Sequence, residues 1–230
     1  MSSIAFLPIQ LSYGMHIAEG FLPQIWSLFW SIAFLPFLIL SIRYITKQFR
    51  LNPKNRMLYV LMAAFAFTLS SLKIPSLAGS CSHPTGMGLG AIIVGPLPMM
   101  AIGTVVLLLQ ALLIAHGGLT TLGANAFSMA VVGPLVSFGL YKGLEKMGVS
   151  QKIRVFIAAF VGSLSTYLVT SIQLGIAFSG GNIIETVVKF IGVFMVTQVP
   201  ISLAEGLLTV VVFNLMSDAQ MTDRIQTEAN

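Results

Sequence analysis

The sequence predicts an all-α polytopic membrane protein. Three observations carry that expectation. Only 8% of the residues are charged while 56% are hydrophobic, with a mean hydropathy of +0.92, and a soluble domain of this size has no interior large enough for so much apolar surface. Uncharged runs near or above membrane-spanning length recur along the chain. They are far too long for barrel strands, and helices are then what satisfies the backbone in lipid. Cations are concentrated in two short stretches. Arg43–Arg56 holds Arg43, Lys47, Arg50, Lys54 and Arg56 with no acid, and Lys142–Arg154 holds Lys142, Lys146, Lys152 and Arg154 against Glu145 alone. Such clusters mark cytoplasmic loops, so the formal charge of +5 calls for no nucleic-acid partner.

Seven membrane helices follow in order, roughly 24–42, 57–73, 87–95, 98–115, 126–143, 154–178 and 187–216. The first is the uncharged run from Gln24 to Ile42, ended by the Arg43–Arg56 stretch, and the second begins at Met57. Lys73–Gly90 is rich in Gly, Ser and Pro and reads as a loop. The run from Leu89 to Ala115 is long enough for one helix, but Gly95-Pro96-Leu97-Pro98 interrupts it. Topology supports the split, because one span here would place the basic stretch 142–154 on the wrong side. The third helix is then too short to cross a core of about 30 Å. The loop before it dips toward the membrane interior, where irregular backbone is tolerated only against protein or a polar cavity. The N-terminus falls outside, the C-terminus inside, and 217–230 reads as a polar tail after a single membrane domain spanning 15–216. Residues 1–14 are short and apolar, with small residues at Ser12 and Gly14 ahead of Met15. They read as a minimal leader, as an untranslated extension before a true start at Met15, or as an uncleaved tail.

The chemistry concentrates at Met15 and His16. If the mature chain begins at Met15, its free amine, the His16 amide nitrogen and His16 Nδ1 close five- and six-membered chelate rings on one metal ion. A fourth nitrogen completes a square, which suits Ni(II) or Cu(II) and is open to low-spin Co(II). The chain has three histidines, His16, His83 and His116, and the topology puts all of them on the outer side. Histidine in a membrane protein is a functional candidate; the bland reading is an imidazole bonded to loop backbone, which fits His116 taken alone. His16 and His83 together favour ligation, with His83 as the fourth in-plane donor. The lone cysteine, Cys81, excludes an intrachain disulfide and a Cys-based zinc site; beside His83 it is either a soft ligand or a packing residue. Gly86–Gly90 lacks the pattern of a phosphate cradle and is expected to let backbone pack closely at the metal end. Glu205 lies in the middle of the last helix and must face protein. Ala66 and Ser70 form a small-residue face for another helix.

Several stretches carry a specific resemblance. They are Met-His-Ile-Ala-Glu-Gly-Phe-Leu-Pro at 15–23, Lys-Ile-Pro-Ser at 73–76, Gly-Ser-Cys-Ser-His-Pro-Thr-Gly at 79–86 and Ala-His-Gly-Gly-Leu-Thr-Thr-Leu-Gly-Ala-Asn at 115–125. Thr170–Gly175 and Ala204–Thr209 extend it. Together they resemble the CbiM/NikM family, nearest its cobalt branch, from Met15 to about Leu215. The resemblance implies the substrate-binding S component of an energy-coupling-factor (ECF) ABC importer for Co(II) or Ni(II), with an extra N-terminal helix, in the plasma membrane. It implies metal ligation by the Met15 amine, His16 amide and imidazole, and His83. It also implies a transmembrane coupling T component, ATP-binding cassette ATPase subunits and a small CbiN-like membrane partner, with cobalamin biosynthesis as the destination. A bound imidazole usually donates its other N–H to an outer acceptor, and Glu19, His116, Thr120, Thr121 and Asn125 are the candidates. The expected role is transport without catalysis. An intramembrane hydrolase would want His-Glu-x-x-His, which is absent. A passive channel would want rings of polar or acidic side chains, and the outer side has almost no acids.

Overall fold

The computed structural model describes residues 16–51, 53, 55–75 and 81–228. Met15 and residues 1–14 lie outside the described residues. The described chain forms seven helices: α1 (Gln24–Leu51), α2 (Asn55–Ser70), α3 (Met87–Val94), α4 (Pro96–Leu113), α5 (Leu122–Lys146), α6 (Gln151–Ala177) and α7 (Ile183–Glu228). Five of them, α1, α4, α5, α6 and α7, are long and apolar enough to cross a membrane. The chain is a multi-pass membrane protein with the predicted helix count. One short antiparallel pairing interrupts the all-helical pattern, Ile74–Pro75 against Cys81–Ser82.

Helix ends differ from the sequence reading where hydropathy, not backbone chemistry, set the boundary. α1 continues past Ile42 to Leu51, because nothing in Arg43–Leu51 breaks a helix before Pro53. α7 likewise runs through the expected polar tail to Glu228. α4 starts at Pro96, not residue 98. Pro96 and Pro98 occupy its first turn, where the missing N–H costs nothing. The break belongs to Gly95, at φ 92°.

α3 is the hub. It has 8 residues, about 12 Å of helix, and Met87 to Ala91 are all buried between α2, α4, α5 and α6. Gly86, at φ 68°, caps it; a Cβ there would stand 2.7 Å from the Ala66 Cα of α2. The small face of α2 therefore receives the start of α3, as the Ala66 and Ser70 pattern suggested. α1 is peripheral, with Ile25, Leu28, Ile32 and Ile39 exposed, as a lipid-facing helix requires. α5 includes a π-helical stretch, Ala126–Val132, which starts one residue after Asn125.

Candidate metal centre

Three segments from distant parts of the chain meet at one end of the bundle. The stretch ahead of α1 brings His16, the loop between the short pairing and α3 brings His83, and the turn after α4 brings His116. All three imidazoles are buried. Ring centroids lie 4.8 Å apart for His16 and His83, 4.6 Å for His16 and His116, and 5.0 Å for His83 and His116. One nitrogen from each ring falls within 4.8 Å of the other two. No carboxylate joins this group among the described residues.

Each histidine is fixed through its backbone or a neighbouring peptide. The Ile17 N–H donates to Asn125 Oδ1 at 2.8 Å, while Thr121 Oγ1 and Asn125 Nδ2 donate to the Ile17 carbonyl at 2.6 and 3.1 Å. This clamp from the start of α5 holds the peptide that follows His16. The His83 N–H donates to the Tyr167 hydroxyl at 3.1 Å, and that hydroxyl donates to the His83 carbonyl at 3.0 Å. The His116 N–H donates to the Gln110 carbonyl at 3.0 Å. The His83 loop is also tied to α7: Ser82 Oγ lies 2.7 Å from Thr197 Oγ1, and Glu205 accepts from Thr85 N, Thr85 Oγ1 and Gly86 N at 2.8, 2.8 and 2.7 Å. Glu205 faces protein, as its place in an apolar helix demanded.

Burial favours the neutral form of His16 and His83. His83 Nδ1 sits 2.9 Å from the Pro84 carbonyl, which only accepts, so Nδ1 carries the proton and Nε2 carries a lone pair. Nε2 is buried and has no hydrogen-bond partner among the described residues, a costly arrangement unless a ligand completes it. Burial pushes the His83 pKa down to about 4. Burial also holds His16 well below the ordinary histidine value, with the charges that His116 and His83 would carry adding to it. Neutral imidazole is the metal-binding state.

The structure brings His16, His83 and His116 together and distributes the other candidates around them. Thr121 and Asn125 clamp the Ile17 peptide. Thr120 Oγ1 accepts from Gly20 N at 3.4 Å, and Glu19 accepts from the Thr120 N–H at 3.1 Å. The Thr120 side chain, with the Thr120 and Leu119 N–H groups adding to it, holds the Glu19 carboxyl below its usual range. These four residues pin the N-terminal segment to the α4–α5 loop. Gly118 permits the approach, since a Cβ there would stand 2.5 Å from Glu19 Cα. A side-chain acceptor for an imidazole is Gln110, whose Oε1 lies 3.2 Å from His16 Nε2; sequence reasoning passed over it. A lone glutamine inside the apolar run Val105–Ile114 was the available signal. Met15 falls outside the described residues, and the side chain of Cys81 is not among those described.

A model of the family described as the cobalt uptake substrate-specific transmembrane region matches residues 16–222. The chain belongs to the CbiM family. Relatives named cobalt transport protein CbiM include those of Clostridioides difficile, 53% identical over 90% of this chain and 84% of that protein, and Desulforamulus reducens, 54% identical over 94% and 86%. A crystal structure described as a truncated transition metal transporter superposes with a TM-score of 0.80 at 27% identity, covering 89% of this chain and 99% of that one. A second transition metal transporter structure gives 0.80 at 26% identity, over 89% and 93%. CbiM is a transporter family, not an enzyme family.

Proposed function

We propose that the chain is the Co(II)-capturing S component of an ECF-type ABC importer that supplies cobalamin biosynthesis. The observation that carries this reading is the buried imidazole cluster with an open His83 Nε2 at one end of a membrane bundle. In the proposed site the Met15 amine, the His16 amide nitrogen, His16 Nδ1 and His83 Nε2 form a square around the ion. His116 borders that square, whose four in-plane positions are already filled. The free α-amine requires a working form that begins at Met15, because a Gly14–Met15 peptide bond removes the lone pair by resonance. An all-nitrogen square suits Ni(II) equally, and Ni(II) is the alternative cargo; the cobalt names of the relatives favour Co(II).

The chain carries no ATP-binding motif. ATP-binding cassette ATPases, a coupling T component and a small CbiN-like membrane protein are the proposed partners. The imidazole end faces outward from the plasma membrane, with the basic stretches 43–56 and 142–154 inside. Cysteines placed at Asn52 and Gly148 in a Cys81→Ser background should both resist impermeant thiol reagents in intact cells. Labelling of one alone would overturn that sidedness.

The ligand set is tested by calorimetry on the form beginning at Met15. His83→Ala should lower Co(II) affinity by more than about 100-fold, since losing even an outer-shell partner costs 10–100-fold, while the protein still inserts and folds. Tight Co(II) binding by that variant would refute the site.

A further inference from the structure

We infer that Gln110 is a positioning residue that locks His16 in the Nε2–H tautomer, opposite to the Nδ1–H tautomer of His83. The chain of contacts behind His16 begins on α2. Ser70 Oγ donates its one proton within its own helix, to the Ala66 carbonyl at 2.5 Å or the Phe67 carbonyl at 3.3 Å. Toward Gln110 Nε2, 2.6 Å away, the hydroxyl can then only accept. The Gln110 amide must turn its NH2 to Ser70, which sends its carbonyl oxygen to His16. Oε1 has no proton to give, so the bond at 3.2 Å is donated by His16 Nε2. The hydroxyl decides the amide orientation and the amide decides the tautomer.

The consequence is a lone pair on His16 Nδ1, the one ring nitrogen able to close a six-membered ring with the residue's own amide nitrogen. The same glutamine accepts the His116 N–H with its backbone carbonyl. A change of its side chain removes the His16 contact while leaving the His116 contact in place. His83 shows the converse pattern, with Nδ1–H donated to the Pro84 carbonyl and Nε2 left open. One imidazole thus presents Nδ1 and the other Nε2, each selected by a fixed acceptor behind it. Gln110 and Ser70 are both buried, so water cannot replace either partner cheaply.

The inference rests on His16 acting through Nδ1, but its test needs no metal. The full chain, with 15N-labelled histidine and no metal, is examined in detergent by long-range 1H–15N correlation. His16 should show one Nε2–H tautomer with a proton protected from exchange, and His83 one Nδ1–H tautomer. Gln110→Leu should expose the His16 proton to exchange and leave the His83 signal unchanged, which also certifies the fold. Gln110→Glu, which keeps an acceptor, should restore protection; Ser70→Ala, which frees the amide to turn over, should restore it only partly. In the form beginning at Met15, Gln110→Leu should weaken Co(II) binding about 10–100-fold. An Nδ1–H tautomer at His16 in the unaltered chain, or equal proton protection in Gln110→Leu, would overturn the inference. Correct tautomers with no Co(II) binding by the Met15 form would instead defeat the chelate and leave the role of Gln110 standing.

Discussion

The two ends of the bundle handle charge in opposite ways. At the imidazole end, polar groups are buried, mostly neutral and bonded across long sequence separations, as in Ile17 to Asn125 and Thr85 to Glu205. At the other end charge stays at the surface. Lys142 and Arg154 pair with Glu145 at 2.8 and 3.0 Å, with the glutamate side chain 37% exposed. Under the proposed function a cation would be taken up by pre-aimed lone pairs where water is excluded, while the opposite end keeps Lys142 and Glu145 at the surface, where hydration costs little. The first arrangement depends on each partner; the second does not.

That contrast can be broken most severely at Glu205. Glu205→Ala leaves the Thr85 and Gly86 donors buried without an acceptor and should destabilise the protein by at least about 3 kcal/mol, read as a large fall in thermal midpoint in detergent. Retention of the native midpoint would mean that the loop holding His83 does not depend on α7. A smaller effect follows from pH. The His83 pKa is lowered by burial to about 4, whereas an unfolded histidine titrates near 6.5. Between those values the unfolded state binds the extra proton, so stability is full above about pH 6.5 and declines as pH falls toward 4. The metal-free protein should melt at a lower temperature at pH 5 than at pH 7. A flat profile across that window would show the imidazole to be solvated. The smallest effect is expected at the opposite end, where Glu145→Gln replaces the charge that pairs with exposed Lys142 and with Arg154, whose side chain is 17% exposed, by a neutral acceptor of the same shape; it should move melting little and leave Co(II) binding unchanged. A clear loss of either would erase the distinction between the ends.

Much of this was legible in the sequence because it depends on local signals. The seven helices follow from uncharged runs, and the separation of α3 from α4 follows from Gly95 and the two prolines, confirmed by helices ending at Val94 and starting at Pro96. The ends of α1 and α7 were misplaced because charge ends a hydrophobic run without ending a helix. Within the site, His16 and His83 were visible from their chemistry, and the structure adds His116 to the same cluster. Gln110, Ser70 and Tyr167 were not visible as partners. Their roles exist only through contacts such as Gln110 to His16 and Tyr167 to His83, and no local pattern encodes which polar residue of one helix meets which loop. Thr121 and Asn125 illustrate the same limit, since their motif was clear while their target, the Ile17 peptide, is set by the packing of α5 against the N-terminal segment.

The central claim is that the metal is held by a chelate built on a free Met15 amine, and the most direct measurement is Co(II) uptake by a form that cannot lose residues 1–14. Cells expressing the chain with its transport partners would be compared for the native form, the unprocessable form and a form with one alanine inserted between Met15 and His16. Mass spectrometry would establish each N-terminus. A free α-amine, with a pKa near 7.7–8.0, gives up its proton readily to a metal at neutral pH, and the inserted alanine enlarges the chelate while keeping every side chain. The account predicts uptake by the native form alone. Full uptake by a form shown to retain residues 1–14 would contradict it and leave His16 as a side-chain ligand only.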